Sequence, residues 1–143
     1  MFVGEYDRSV DGNGRLALPA DFRDLLGSRC YVTSDPEGFV KITTEANFQS
    51  EADHLKEEVR AGRRPSSALR AFGVQSTVAS IDKQGRITLD EATRQHAGLT
   101  GGQAVIAGAI DNLEVWRPSR YRQIRGEDRV VQPARVWNDE DDA

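Results

Sequence analysis

A mainly β fold with short helices, an α+β class built from two pseudo-symmetric copies of one unit, is what this sequence predicts. Three observations carry that expectation. First, the stretch Val10 to Arg23 is written again as Ile81 to Arg94 at a constant offset of 71, with identity at Asp11/Asp82, Gly14/Gly85, Arg15/Arg86, Leu18/Leu89, Arg23/Arg94 and Gly27/Gly98. Second, each copy holds short segments alternating apolar and polar with period two, the signature of half-buried strands. Third, a chain of 143 residues, 38% hydrophobic and 29% charged, has enough apolar material for one core only if its halves share it. A repeat of this kind describes two supersecondary units that bury their apolar faces together.

Met1-Phe2-Val3-Gly4-Glu5-Tyr6 is short and alternating, so a strand is expected from the first residue. Asp11-x-x-Gly14 then closes a tight turn: the Asp carboxylate can cap it and Gly takes the positive φ it requires, which leaves Arg15 just past the bend. Leu16-Ala17-Leu18 reads as a strand, and Pro19 opens a helix that stops at Gly27. Tyr31 to Thr33 and Phe39 to Ile42 flank Asp35-Pro36-Glu37-Gly38, which predicts a hairpin. Thr44 is placed to cap a helix carrying Phe48, Ala52, Leu55 and Val59 on one face as far as Gly62. After Pro65, Ser66 or Ser67 caps a second short helix through Phe72.

The second copy repeats this order. Val74 to Ile81 is its leading strand, Asp82-x-x-Gly85-Arg86 its turn, and Ile87-Thr88-Leu89 its second strand, with a helix to His96. Ala104 to Ala107 and Leu113 to Trp116 form the second hairpin, turning at Asp111-Asn112, and Pro118 begins a final helix with Tyr121 in the place of Phe48. The expected organisation is therefore a first module at 1–48, a helical linker at 49–72, a second module at 73–122 and an acidic, disordered tail at 123–143. Little order is expected beyond Gly126, although Val130, Val131, Val136 and Trp137 are available to dock on a neighbour.

The net charge of −4 comes entirely from the C-terminal end, where Glu127, Asp128, Asp139, Glu140, Asp141 and Asp142 face only two arginines. The rest of the chain is neutral, and a neutral body presents a basic surface if its arginines gather on one face. No apolar run approaches the length of a membrane span, and no basic-then-apolar leader opens the chain, so a cytoplasmic protein with no membrane partner is expected. Cys30, the single cysteine, reads as a small buried hydrophobe. His54 and His96 have no companions at metal-ligand spacing, so neither a metal nor any other cofactor is implied.

Met-Phe-x-Gly-x-Tyr at the start, Asp-x-x-Gly-Arg-(x)3-Pro-x-x-Phe-Arg in the first half, and Asp-Lys-Gln-Gly-Arg-Ile-x-Leu with Ala97-Gly98-Leu99 in the second resemble the MraZ family over residues 1 to about 122. That resemblance implies two SpoVT-AbrB-type swapped-hairpin modules forming a β-barrel-like core. It also implies a bacterial transcriptional regulator, a repressor by the family's association, of the division and cell-wall gene cluster. The partners so implied are double-stranded DNA carrying repeated promoter boxes and further copies of the chain in a ring-like homo-oligomer associated with the nucleoid. Asp90 and Thr93 stand where the second motif of the family has proline and an aliphatic residue.

The chemistry of DNA reading gives the turns a role on its own. An arginine fork pairs bidentately with guanine O6 and N7, or with phosphate, in a geometry lysine cannot reproduce. Arg15 and Arg86 are the lead DNA-binding candidates, held by the turn-structuring Asp11, Gly14, Asp82 and Gly85; Arg8, Lys83, Arg23 and Arg94 are secondary candidates for phosphate. A plainer role fits the same residues, in which each arginine pairs with the aspartate of its own turn and only braces it. A catalytic alternative, a paired-aspartate hydrolase using Asp11 and Asp82, requires the carboxylates to meet, whereas each is supplied with its own arginine. The chain has no Gly-rich phosphate loop, Ser/His/Asp set or Cys/His constellation, so neither an enzyme nor a small-molecule substrate is expected. An antitoxin-like AbrB regulator uses the same module, but ordinarily one copy of it.

Overall fold

The computed structural model describes residues 1–131. Its elements follow the repeat. The first half contains β1 (Glu5–Ser9), β2 (Arg15–Ala17), α1 (Ala20–Leu26), β3 (Arg29–Ser34), β4 (Val40–Thr43) and α2 (Glu45–Arg60). After α3 (Ser67–Val74) the second half contains β5 (Ser76–Ser80), β6 (Arg86–Thr88), α4 (Glu91–Ala97), a 3-10 turn at Leu99–Gly101, β7 (Gln103–Gly108), β8 (Leu113–Trp116) and α5 (Pro118–Val131). The class is α+β, as the alternation of short strands and capped helices requires.

Two details at the ends differ from expectation. Gly4 takes φ +93, which breaks the extended run, so the first strand begins at Glu5 and Phe2 makes only an isolated bridge to Ile110. At the other end α5 continues through Val131, so residues 123–131, expected in the disordered tail, are helical. Val136 and Trp137 lie outside the described residues.

Strand pairing interlocks the halves. The larger sheet has the order β1-β7-β8-β4-β3-β5, entirely antiparallel, and β2 pairs with β6 in a second, two-stranded sheet. The first strand of each copy is thus paired with the third strand of the other, once at each end of the sheet: β1 lies on β7, and β5 on β3. A pseudo-twofold runs through the places where like meets like, Leu16 opposite Ile87 in the small sheet and Lys41 opposite Glu114 where β4 meets β8. The ladders leave β1 and β5 as edges of the larger sheet and do not pair them with each other.

One apolar core lies between the two sheets. Leu16 and Ile87 from the small sheet, Val40, Ile42, Ile106, Leu113 and Val115 from the large one, and Leu99 are all essentially inaccessible and belong to one cluster. Cys30 is part of it, and burial pushes its thiol pKa up to about 11. This is the setting of an inert cysteine rather than a nucleophile. The helical linker packs separately, on the outside of β3, where Phe48 stacks between Tyr31 and Phe72 at centroid distances of 4.2 and 4.9 Å.

Candidate nucleic-acid interface

Each Asp-x-x-Gly-Arg segment folds by the same local rules. In the first, Asp11 Oδ1 accepts hydrogen bonds from the backbone N–H groups of Asn13 and Arg15, both at 2.9 Å, and Oδ2 accepts from Arg15 Nε at 2.7 Å. In the second, Asp82 Oδ1 accepts from the N–H groups of Gln84 and Arg86 at 2.9 Å, and Oδ2 from Arg86 Nε at 3.0 Å. The glycine N–H closes each turn onto the aspartate carbonyl at 2.9 Å, with φ +81 at Gly14 and +79 at Gly85. The Arg15 and Arg86 backbone N–H bonds, helped by each guanidinium, hold both carboxyls below the ordinary aspartate pKa of 3.8.

Both aspartates are therefore ionised and separately satisfied. Two carboxylates sharing one proton would instead push one pKa upward, so the geometry gives no support to a catalytic dyad.

The arginines are braced but not used up. Only Nε of each is engaged with its aspartate, and among the described residues no partner is formed by the terminal guanidinium nitrogens of Arg15 or Arg86. Their side chains retain 36% and 28% of their exposure, enough to present a free edge. The β2–β6 register sets where that edge points. Arg15 faces Thr88 and Ala17 faces Arg86, while Leu16 and Ile87 point into the core, so both arginines stand on the outer face of the ribbon. They are diagonal neighbours, which places their backbones about 7–8 Å apart.

The turns are tied to one another across the pseudo-twofold. Leu18 N–H donates to the Gly85 carbonyl at 3.0 Å, and Leu89 N–H donates to the Gly14 carbonyl at 2.8 Å. Arg94 reaches over the Gly14 turn, where Nη1 donates to the Leu89 carbonyl at 2.5 Å, and Arg23 covers Gly85. These two arginines are half-buried against the opposite copy's turn, in positions that hold the ribbon rather than project from it. That crossing was not legible in the chain, although the constant spacing from Gly14 to Arg23 and from Gly85 to Arg94 was its only trace.

The remaining candidates are less engaged with the ribbon. Lys83 is exposed at the tip of the second turn, where the first has Gly12. Arg8 lies on β1, donates Nη1 to the Asp7 carbonyl at 2.9 Å and rests over the Tyr6 ring at 5.5 Å. Away from the ribbon, His96 Nε2 lies 2.5 Å from the Asp35 carbonyl oxygen, and His54 lines a cleft beside α2. Among the described residues no group of three or more His, Cys, Asp or Glu side chains gathers as a metal centre, and no helix is long and apolar enough to cross a membrane.

Comparison with known proteins adds a family to this geometry. The family model described as "MraZ protein, putative antitoxin-like" matches residues 74–134. The chain is 34% identical over 123 residues to a protein of Mycobacterium ulcerans named transcriptional regulator MraZ, covering 86% of this chain and 85% of that one. Proteins of the same name from Lachnoclostridium phytofermentans and Lactiplantibacillus plantarum are each 32% identical, over 85% of this chain and 84% of the relative, and over 89% of both, respectively.

Proposed function

The chain belongs to the MraZ family, and from that premise we propose that it is a transcriptional regulator that reads double-stranded DNA with the outer face of the β2–β6 ribbon. One observation carries the proposal: two arginines with free guanidinium edges stand side by side on a rigid two-stranded ribbon. The major groove admits such a ribbon, and an arginine fork matches guanine O6 and N7 there. Each aspartate engages Nε and so fixes the plane of its guanidinium, which lowers the entropy lost on contact. Bracing and reading are then two parts of one device.

In this reading Arg15 and Arg86 contact bases or the phosphates flanking them, and Lys83 and Arg8 add phosphate contacts at either side. Arg23 and Arg94 contribute mainly by holding the turns, with any phosphate contact made through what remains exposed. A base contact supplies roughly 1–3 kcal/mol of discrimination, too little for one subunit to choose an operator among competing genomic sites. We therefore include in the proposal a homo-oligomer, ring-like as the family resemblance implies, whose copies engage repeated promoter boxes upstream of the division and cell-wall genes and repress them on the nucleoid.

The test uses Arg15→Ala and Arg86→Ala in the full chain, with thermal midpoint and salt-dependent binding to the gene's own upstream DNA measured on the same samples. Each substitution is expected to weaken binding by about 1–3 kcal/mol per affected base contact, compounded by the number of engaged subunits. Undiminished binding with a lowered midpoint would show that the arginines only brace the turns.

A further inference from the structure

Each Asp-x-x-Gly-Arg turn carries at its tip an amide that the fold does not use. At the offset of 71 Asn13 corresponds to Gln84, and both are exposed. Their backbone N–H groups donate to Asp11 Oδ1 and Asp82 Oδ1 at 2.9 Å, so the main chain bearing each amide is held by the same carboxylate that holds the arginine. The side-chain amides themselves have no hydrogen-bond partner among the described residues. Those of Asn47, Gln49 and Gln95, by contrast, each donate to a neighbouring group.

The ribbon register sets these amides in line with the arginines. Arg15 opposes Thr88 and Arg86 opposes Ala17, so the step back from Arg15 to Asn13 leads off one end of the ribbon and the step back from Arg86 to Gln84 leads off the other. The order along the ribbon is Asn13, Arg15, Arg86, Gln84. Two residues span at most about 7 Å, or about two base-pair steps of ~3.4 Å.

The residues beside the amides match their lengths. Gly12 has no positive φ, and a methyl group built on it would meet nothing within 4 Å, so the turn does not demand glycine there as it does at Gly14. A bare position of this kind lets the backbone approach a ligand closely. Asn13, one methylene shorter than Gln84, stands next to it, whereas the longer Gln84 stands next to Lys83, whose side chain needs room at the second tip.

We propose, resting on the reading that the β2–β6 ribbon enters the major groove, that Asn13 and Gln84 are specificity-determining residues, each reading one adenine outside the contacts made by Arg15 and Arg86. In that groove adenine presents an acceptor, N7, beside a donor, the N6 amino group, and an Asn or Gln amide meets both: its nitrogen donates to N7 and its oxygen accepts from N6. The backbone spacings put the two adenines no more than about six base pairs apart. Both side chains are neutral, so they add selectivity without adding to the salt dependence.

Fluorescence anisotropy tests this on the full chain with the gene's own upstream DNA, replacing each base pair in turn and, separately, each adenine by 7-deazaadenine, which keeps its Watson–Crick pairing but lacks N7. Asn13→Ala and Gln84→Ala are each expected to erase a preference for adenine at one position. There 7-deazaadenine should weaken the unsubstituted chain about tenfold and leave the corresponding variant unaffected, with thermal midpoint and salt slope unchanged. Lys83→Ala should do the opposite, lowering the salt slope by about 1 and leaving every base preference intact. If Arg15→Ala and Arg86→Ala weaken binding while the amide variants alter no base preference, or weaken binding to every sequence alike, Asn13 and Gln84 are not readers and the ribbon reading stands without them. If the arginine variants also bind as the unsubstituted chain does, the ribbon reading falls and this inference with it.

Discussion

The two Asp-x-x-Gly-Arg turns close with nearly the same hydrogen bonds, yet the ground behind them is different. Behind the first stand three aromatic rings; behind the second, Thr77 and Thr93 line an open cavity. The turn is thus self-sufficient, because aspartate, glycine and arginine satisfy one another within five residues. What packs beneath it sets stability and accessibility, not shape. The helix starts follow the same lesson. α1 begins at Pro19 with no side-chain cap, whereas Asp90 in the equivalent place accepts from Thr93 N–H at 2.8 Å and caps α4. A departure from the repeat is compensated locally.

The sharpest way to break the comparison is to separate the copies. Because β1 pairs with β7 and the core is common to both halves, cutting the chain between Arg64 and Ser67 should leave two fragments that do not fold alone, each showing non-cooperative melting by circular dichroism. A cooperative transition in either would contradict a shared core.

Next in size is the core behind the turns. Phe22→Ala should cost about 3–5 kcal/mol in urea unfolding, and the equivalent Thr93→Ala only about 1 kcal/mol, because the second site already contains a cavity. Equal losses would mean that the open site is filled in solution.

The turn glycines should separate as well. A methyl group at Gly14 would overlap Arg94 and lie 2.5 Å from the Leu89 carbonyl oxygen, which is backbone. At Gly85 the obstruction is the flexible Arg23 side chain, with Cδ at 2.7 Å. Both substitutions bear the strain of positive φ, about 1–2 kcal/mol, so Gly85→Ala should cost about that much and Gly14→Ala measurably more by thermal denaturation. The reverse order would show that the carbonyl yields more easily than the arginine.

The smallest effect is the pH dependence of the turns. Asp11 and Asp82 have carboxyl pKa values lowered in the folded state, mainly by the Arg15 and Arg86 N–H groups. Such groups contribute stability above the unfolded pKa and lose it as pH falls through the folded value. Asp11→Asn and Asp82→Asn should therefore each reduce the fall in thermal midpoint below pH 3.8, and to a similar extent. A large difference between them would show that the packing behind the turn, and not the turn itself, sets the ionisation.

Much of this was legible in the chain because it is local. The offset between copies announced two units, and Asp-x-x-Gly announced a turn with arginine just past it, since those residues bond within reach of one another. Thr44 as a helix cap was legible for the same reason, and its oxygen accepts from Asn47 N–H at 3.0 Å. The sequence alone also settled that the arginines of the two turns are equivalent. Tertiary structure decided that they are neighbours. Only the β2–β6 register, with Leu16 facing Ile87 in the core, turns Arg15 and Arg86 onto one outer face. The passage of Arg23 and Arg94 to the opposite copy's turn was decided in the same way, as was the cavity left by Thr93. These depend on residues some 70 positions apart being packed together, a contact that nothing in either local stretch encodes.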